Sequence, residues 1–81
     1  MSWNDKPTYS QLQCIHSWLR WQVPTPLAAA ATDFLRKNAN RGQVSREMNR
    51  IRELYYKHVR DKEEYFKGEI WKGFAWQEVK M

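Results

Sequence analysis

The side chains able to act as nucleophile, general base or metal ligand are few: one cysteine, Cys14, and two histidines, His16 and His58. Cys14 and His16 lie two apart on a helical segment and point in different directions, so they make no nucleophile and base pair. His58 falls on an apolar helical stripe, where a hydrogen-bonded core histidine is the plainer reading than a ligand. Glu63, Glu64 and Glu69 sit in a charged segment with no matched histidines and no glycine-rich loop, which points to neither a metal site nor a phosphate cradle. The expectation is a non-enzymatic protein with no cofactor, no metal and no small-molecule substrate.

The denser chemistry is cationic. Net charge is +5, and its distribution is uneven: residues 1–40 hold four Lys/Arg against two Asp, residues 41–62 hold seven against three acids, and residues 63–81 hold three against four. The excess lies in NRGQVSREMNRIRELYYKHVRDK, residues 40–62. There Val44, Met48, Ile51, Tyr55 and His58 follow at steps of four and three, which keeps them on one helix face, while Arg46, Arg50, Lys57 and Arg60 fall opposite with Glu53 among them. Such a face suits an acidic partner such as nucleic acid. It also reads as an ordinary solvated surface, because Glu53 to Lys57, Lys57 to Asp61, Glu47 to Arg50 and Arg50 to Glu53 are spaced to neutralise one another.

The elements that must position this run are helical. Thr8 or Ser10 can cap a first helix to about Gln22, where Pro24 and Pro26 end it. Leu12, Ile15, Leu19 and Val23 form one apolar stripe on it, and Cys14, Trp18 and Trp21 form a second on roughly the opposite side. Thr25 as cap with Pro26 at the first helical position starts a second helix, LAAAATDFLRKN, with Leu27, Ala31, Phe34 and Leu35 inward and Asp33 and Arg36 outward. Its four alanines favour helix and leave room for a neighbouring backbone. Asn38, Asn40 and Gly42 tolerate left-handed geometry and predict a turn. Asn40 with Gln43, or Ser45 one turn on, caps the third helix, which starts between residues 41 and 46. Asp61 with Glu64 can restart a fourth segment to about Trp71 after a break near residues 60–62, the preferred reading, or the third helix continues. The reading is an all-α small bundle of three to four helices around a long third helix, one domain over residues 1–81, with an N-terminal arm at 1–8 and a loosely specified tail at 74–81.

A helix, a turn containing glycine and then VSREMNRI resemble the helix-turn-helix DNA-binding proteins over residues 26–55. Carried over, the resemblance makes Ser45, Arg46, Asn49 and Arg50 the DNA-facing set, with Val44, Met48 and Ile51 anchoring the helix in its core. The chemistry is suitable, since Arg can fork onto guanine, Asn onto adenine, and a helix N-terminus favours phosphate. Arg41, Arg52, Lys57 and Arg60 would add salt-sensitive background attraction, and Arg36 and Lys37 could touch the flanking backbone. The turn, Asn38 to Gln43, is longer and richer in Asn than that family's.

Five Trp in 81 residues exceed what one small core normally takes, which motivates a different class of function. Trp18, Trp21, Tyr56, Trp71 and Trp76 could anchor a protein partner, or a homodimer could share them to complete a small core. In general style the chain is also similar to small phage and prophage accessory proteins, which implies a DNA-binding regulator or an inhibitor of a host defence or replication protein, of the anti-CRISPR kind. A single cysteine suits a reducing compartment, and neither a signal peptide nor a membrane-length apolar run is visible, so a cytoplasmic protein is expected.

Overall fold

Two capping boxes set the starts of the first and third helices in the computed structural model, which describes residues 2–79. The Thr8 hydroxyl accepts from the Gln11 amide at 3.1 Å while the Gln11 side chain accepts from the Thr8 amide at 3.0 Å, opening α1, Tyr9–Gln22. Asn40 and Gln43 repeat the arrangement at 2.9 and 3.0 Å, opening α3, Arg41–Tyr56. Each box satisfies two amides that a helix start leaves without partners. Between them lies α2, Thr25–Asn38. Its cap is Pro24 and not Thr25, because the amides of Leu27 and Ala28 both donate to the Pro24 carbonyl. Only Ala39 and Asn40 separate α2 from α3, and neither they nor Gly42 is left-handed, so the glycine-containing turn expected there is a two-residue corner.

The core is built on α1. Leu12, Ile15, Leu19 and Val23 bury their shared stripe against Leu27, Ala28, Ala31 and Leu35 of α2 and Val44 and Ile51 of α3. Helix α1 packs closely on both other helices, and α2 and α3 meet each other far less. The short side chains of Ala28 and Ala31 are fully buried, which is what close helix approach requires. The all-helical class is as expected, but the central element is α1. Helix α3, at 16 residues, is little longer than the 14 residues of α1 and of α2.

The pattern predicts a third helix running to about residue 62, but α3 stops at Tyr56. There the Val59 amide donates to the Leu54 carbonyl and the His58 amide to the Tyr55 carbonyl, the paired bonds of a Schellman ending. His58 takes the left-handed position, with φ 54°, where glycine is the usual occupant. It is therefore exposed and is not the core histidine its spacing suggests, and on the same stripe Met48 and Tyr55 are half-buried.

Beyond the ending, the Asp61 side chain caps a single turn, α4, Lys62–Tyr65, through the Glu63 amide, and two 3-10 turns follow at Glu69–Trp71 and Trp76–Glu78. The expected fourth helix to Trp71 is thus one turn and a loop. The tail is better placed than its composition suggests. Phe74 lies 5.1 Å from Phe34 and 5.3 Å from Phe66 between ring centres, and Trp76 stacks on Phe66 at 6.1 Å. Residues 1, 80 and 81, part of the expected arm and tail, lie outside the described residues. Among the described residues no helix is long and apolar enough to cross a membrane.

Two outcomes follow for stability. His58→Gly removes a left-handed conformation that costs an L side chain about 1–2 kcal/mol while adding backbone entropy to the unfolded chain, so a gain of about 0.5 kcal/mol is expected by urea denaturation. Burial raises the hydroxyl pKa of Tyr65, opposed by the Arg60 charge, above its ordinary value of 10.0. Because the folded state holds that proton more tightly, stability is complete below about pH 10 and declines as pH rises through the folded value. Tyr65→Phe flattens this alkaline decline in melts recorded from pH 8 to 11, although it leaves the Val59 carbonyl without the 2.9 Å bond the hydroxyl donates.

Candidate nucleic-acid interface

Helix α3 carries the sites predicted for an anionic partner, and three sets of contacts decide what each residue can do. The first is a buried carboxylate. Glu47 is only 5% exposed, and its Oε1 accepts from the Trp71 indole nitrogen at 2.8 Å and from Arg50 Nε at 2.9 Å. Arg50 continues outward, donating through Nη1 to the Glu64 carbonyl at 2.8 Å and through Nη2 to Glu47 and to the Tyr65 carbonyl. Gly68 passes so close that a Cβ there would lie 2.7 Å from Glu47 Oε2 and 3.1 Å from Arg50 Nε. Arg50 was expected to face DNA, but its guanidinium is committed to the fold. Trp71, expected as a partner anchor, is buried as the other arm of the same network.

The second set covers the start of α3. The Arg41 amide donates to the Asp5 carbonyl at 2.7 Å and the Gly42 amide to the Trp3 carbonyl at 2.9 Å, while the Gln43 amide is taken by the Asn40 cap. The first three amides of the helix therefore all have protein partners, and none is left to hold a phosphate. The N-terminal arm, expected to be extended and loosely held unless Trp3 docks, lies across the helix start with Trp3 against Gly42. Arg41 is half-buried beneath it, with its carbonyl accepting from the Gln11 side chain.

The third set is the ion pairs. Asp33 binds both Arg36 and Lys37 at 2.6 and 3.0 Å, and their hydrogen bonds hold its carboxyl below the usual range. Lys57 binds Glu53 at 2.9 Å and lowers its pKa likewise, and Lys67 binds Glu64. Arg46, Arg52 and Arg60 are exposed and make no ion pair among the described residues, while Ser45 is half-buried and Asn49 is exposed, accepting from Arg52 at 3.2 Å. Arg46 also lines, with Gln43, Lys72 and the Glu47–Arg50 pair, a cleft of about 430 Å³ between α3 and the Gly68 loop.

The outer face of α3 that remains is coherent. At about 100° per residue, Gly42, Ser45, Arg46, Asn49, Arg52, Glu53 and Tyr56 fall within a sector of about 120°. Tyr56 is 68% exposed at one end of it. At the other end Trp3 is 66% exposed and rests against Gly42, its Cβ 3.3 Å from where a Gly42 side chain would begin. Of the other aromatic candidates, Trp18 and Trp76 are half-buried against the core, and Trp21 is 60% exposed on α1 with the Arg20 guanidinium 5.3 Å from its ring centre. No group of three His, Cys, Asp or Glu side chains among the described residues is placed to hold a metal ion.

Two of these features were missed from sequence. Glu47 lies about 40° from Ile51 on the helical wheel, which marks it as bordering the apolar face. The place of Trp3 had one sign only, a glycine on the outer face of a helix that nothing else required to be small. The chain matches no known family model, no curated protein and no solved structure.

Glu47→Ala strips the partner from Arg50 and Trp71 and is expected to cost about 3 kcal/mol by chemical denaturation. Gly68→Ala should cost about 1–3 kcal/mol through overpacking against the same carboxylate, with loss of near-ultraviolet aromatic signal as the C-terminal segment loosens.

Proposed function

We propose that this protein is a small non-enzymatic nucleic-acid-binding module that uses the outer face of α3, with DNA as its partner. The observation that carries this reading is a pair of uncompensated arginines on one exposed helix face. The cations of α2 and Lys67 are matched by carboxylates; of the cations without an ion pair among the described residues, Lys6, Arg20, Lys62 and Lys72 lie elsewhere, whereas Arg46 and Arg52 share one exposed face of α3 beside Asn49, with Arg60 just past the end of the helix. Arginines on such a face bind phosphate oxygens by paired hydrogen bonds, and Asn49 offers an amide to a base edge. Lys57 and Ser45 flank this set, while Arg50 and Arg41 support it structurally from beneath. Contact runs along the side of α3 and not through its first turn, whose amides already have partners.

A second reading is favoured by Trp21. It is an exposed indole on α1 outside the basic face, and it suits a protein-binding anchor of an inhibitor in the manner of small phage accessory proteins.

Fluorescence anisotropy with a labelled mixed oligonucleotide pool, titrated across salt, separates the two. Binding at low salt should weaken steeply as salt rises. The Arg46→Ala, Arg52→Ala double variant should lower the slope of log affinity against log salt by about 1.5, close to the loss of two phosphate contacts. Undiminished binding by the double variant, or none by the parent at low salt, overturns the nucleic-acid reading and leaves the protein-partner one.

A further inference from the structure

We infer that the preferred ligand of this face is a single strand whose unpaired bases stack on Trp3 and Tyr56, with duplex DNA bound more weakly; this rests on the nucleic-acid reading above. The two rings bracket the arginines. Trp3 is held at the Gly42 end by the main-chain bonds that Gly42 and Arg41 donate to the carbonyls of Trp3 and Asp5, so its backbone is tethered while the residue stays 66% exposed. Tyr56 is the last residue of α3 and is 68% exposed. Fourteen helical steps separate Gly42 from Tyr56, about 21 Å along the axis. That span matches about six nucleotides at the stacked spacing of one strand.

On the outer face within this span lie Arg46, Asn49 and Arg52, and the one acid on that face, Glu53, is already bound by Lys57. A cationic face with an exposed ring at each end suits a flexible strand, since every base has a face to stack and every nucleotide a phosphate to neutralise. A duplex hides its base faces, and the arm lying across the start of α3 covers the helix end that groove insertion would use. The cations fit either nucleic acid, but the two rings favour the unpaired one.

The test compares a fluorescein-labelled oligothymidine of about 12 nucleotides with a mixed-sequence duplex of equal length, both at low salt. The single strand is expected to bind at least about tenfold more tightly. Trp3→Ala and Tyr56→Ala should each weaken it by between about five- and a hundredfold, while Trp3→Phe and Tyr56→Phe, which keep a ring, should retain most of the affinity. All four variants alter exposed side chains, and their thermal melts should match the parent's, which shows that any loss is one of contact and not of folding. If the duplex binds as tightly as the single strand, or if removing both rings leaves oligothymidine affinity unchanged while Arg46→Ala, Arg52→Ala abolishes it, the stacking inference is overturned and nucleic-acid binding stands. If neither oligonucleotide binds, both fall.

Discussion

A buried carboxylate holds the C-terminal third of this protein to its helices. Glu47 is taken out of water on the inner edge of α3, and a charge there is tolerated only when it is closely paired and hydrogen-bonded. Arg50 and Trp71 supply that pairing, both donating to Glu47 Oε1. In doing so they fix where the chain after α3 must pass, because Arg50 also gathers the carbonyls of Glu64 and Tyr65 and Trp71 brings the aromatic tail onto Phe34. Gly68 is the point of closest approach, where the backbone runs against the carboxylate with no space for a side chain. The aromatic cluster of Phe34, Phe66, Phe74 and Trp76 packs around Trp71, which keeps the indole that donates to Glu47 buried.

This network also decides what α3 offers to a partner. An arginine run on a helix looks like a continuous basic strip, but cations facing inward or beside carboxylates contribute little outside field. Arg50 is drawn beneath the C-terminal loop and Lys57 is paired, while Arg46 and Arg52 keep their charge toward solvent. The N-terminal arm shapes the same face from its other end. It takes the free amides of the first turn and, by crossing at Gly42, places an indole beside the helix. The helix start is thereby an anchorage for the arm, and the exposed arginines lie along the side of the helix.

Much of the fold was legible from neighbouring residues. The cap at Asn40, the Thr8 start of α1, the proline stop after it and the buried stripe of Leu12, Ile15, Leu19 and Val23 all depend on groups within a turn or two of each other. The end of α3 was not legible, because its apolar spacing continues through His58 while the Schellman bonds at Tyr56 depend on the chain turning back toward the core. The exposed aromatics were equally hidden. Trp71 and Trp21 are alike as residues, and only packing buries one against Glu47 and leaves the other at the surface.

The sequence by itself therefore determined the helical class, the positions of three helices, the inward stripe of the first, part of the stripes of the other two, and the excess of cations on the third. Helix periodicity and capping are short-range, and they persist whatever the rest of the chain does. Tertiary structure alone decided that α1 is central, that Glu47 is buried with Arg50 bound to it, and that Trp3 joins the outer face of α3. Those outcomes rest on contacts between residues far apart in sequence, 14 and 15 for Arg50 with the Glu64 and Tyr65 carbonyls, 24 for Glu47 with Trp71, and more again for Trp3 with Gly42. At such separations no local pattern reveals which polar group will meet which, because the pairing is chosen by the shape of the packed core.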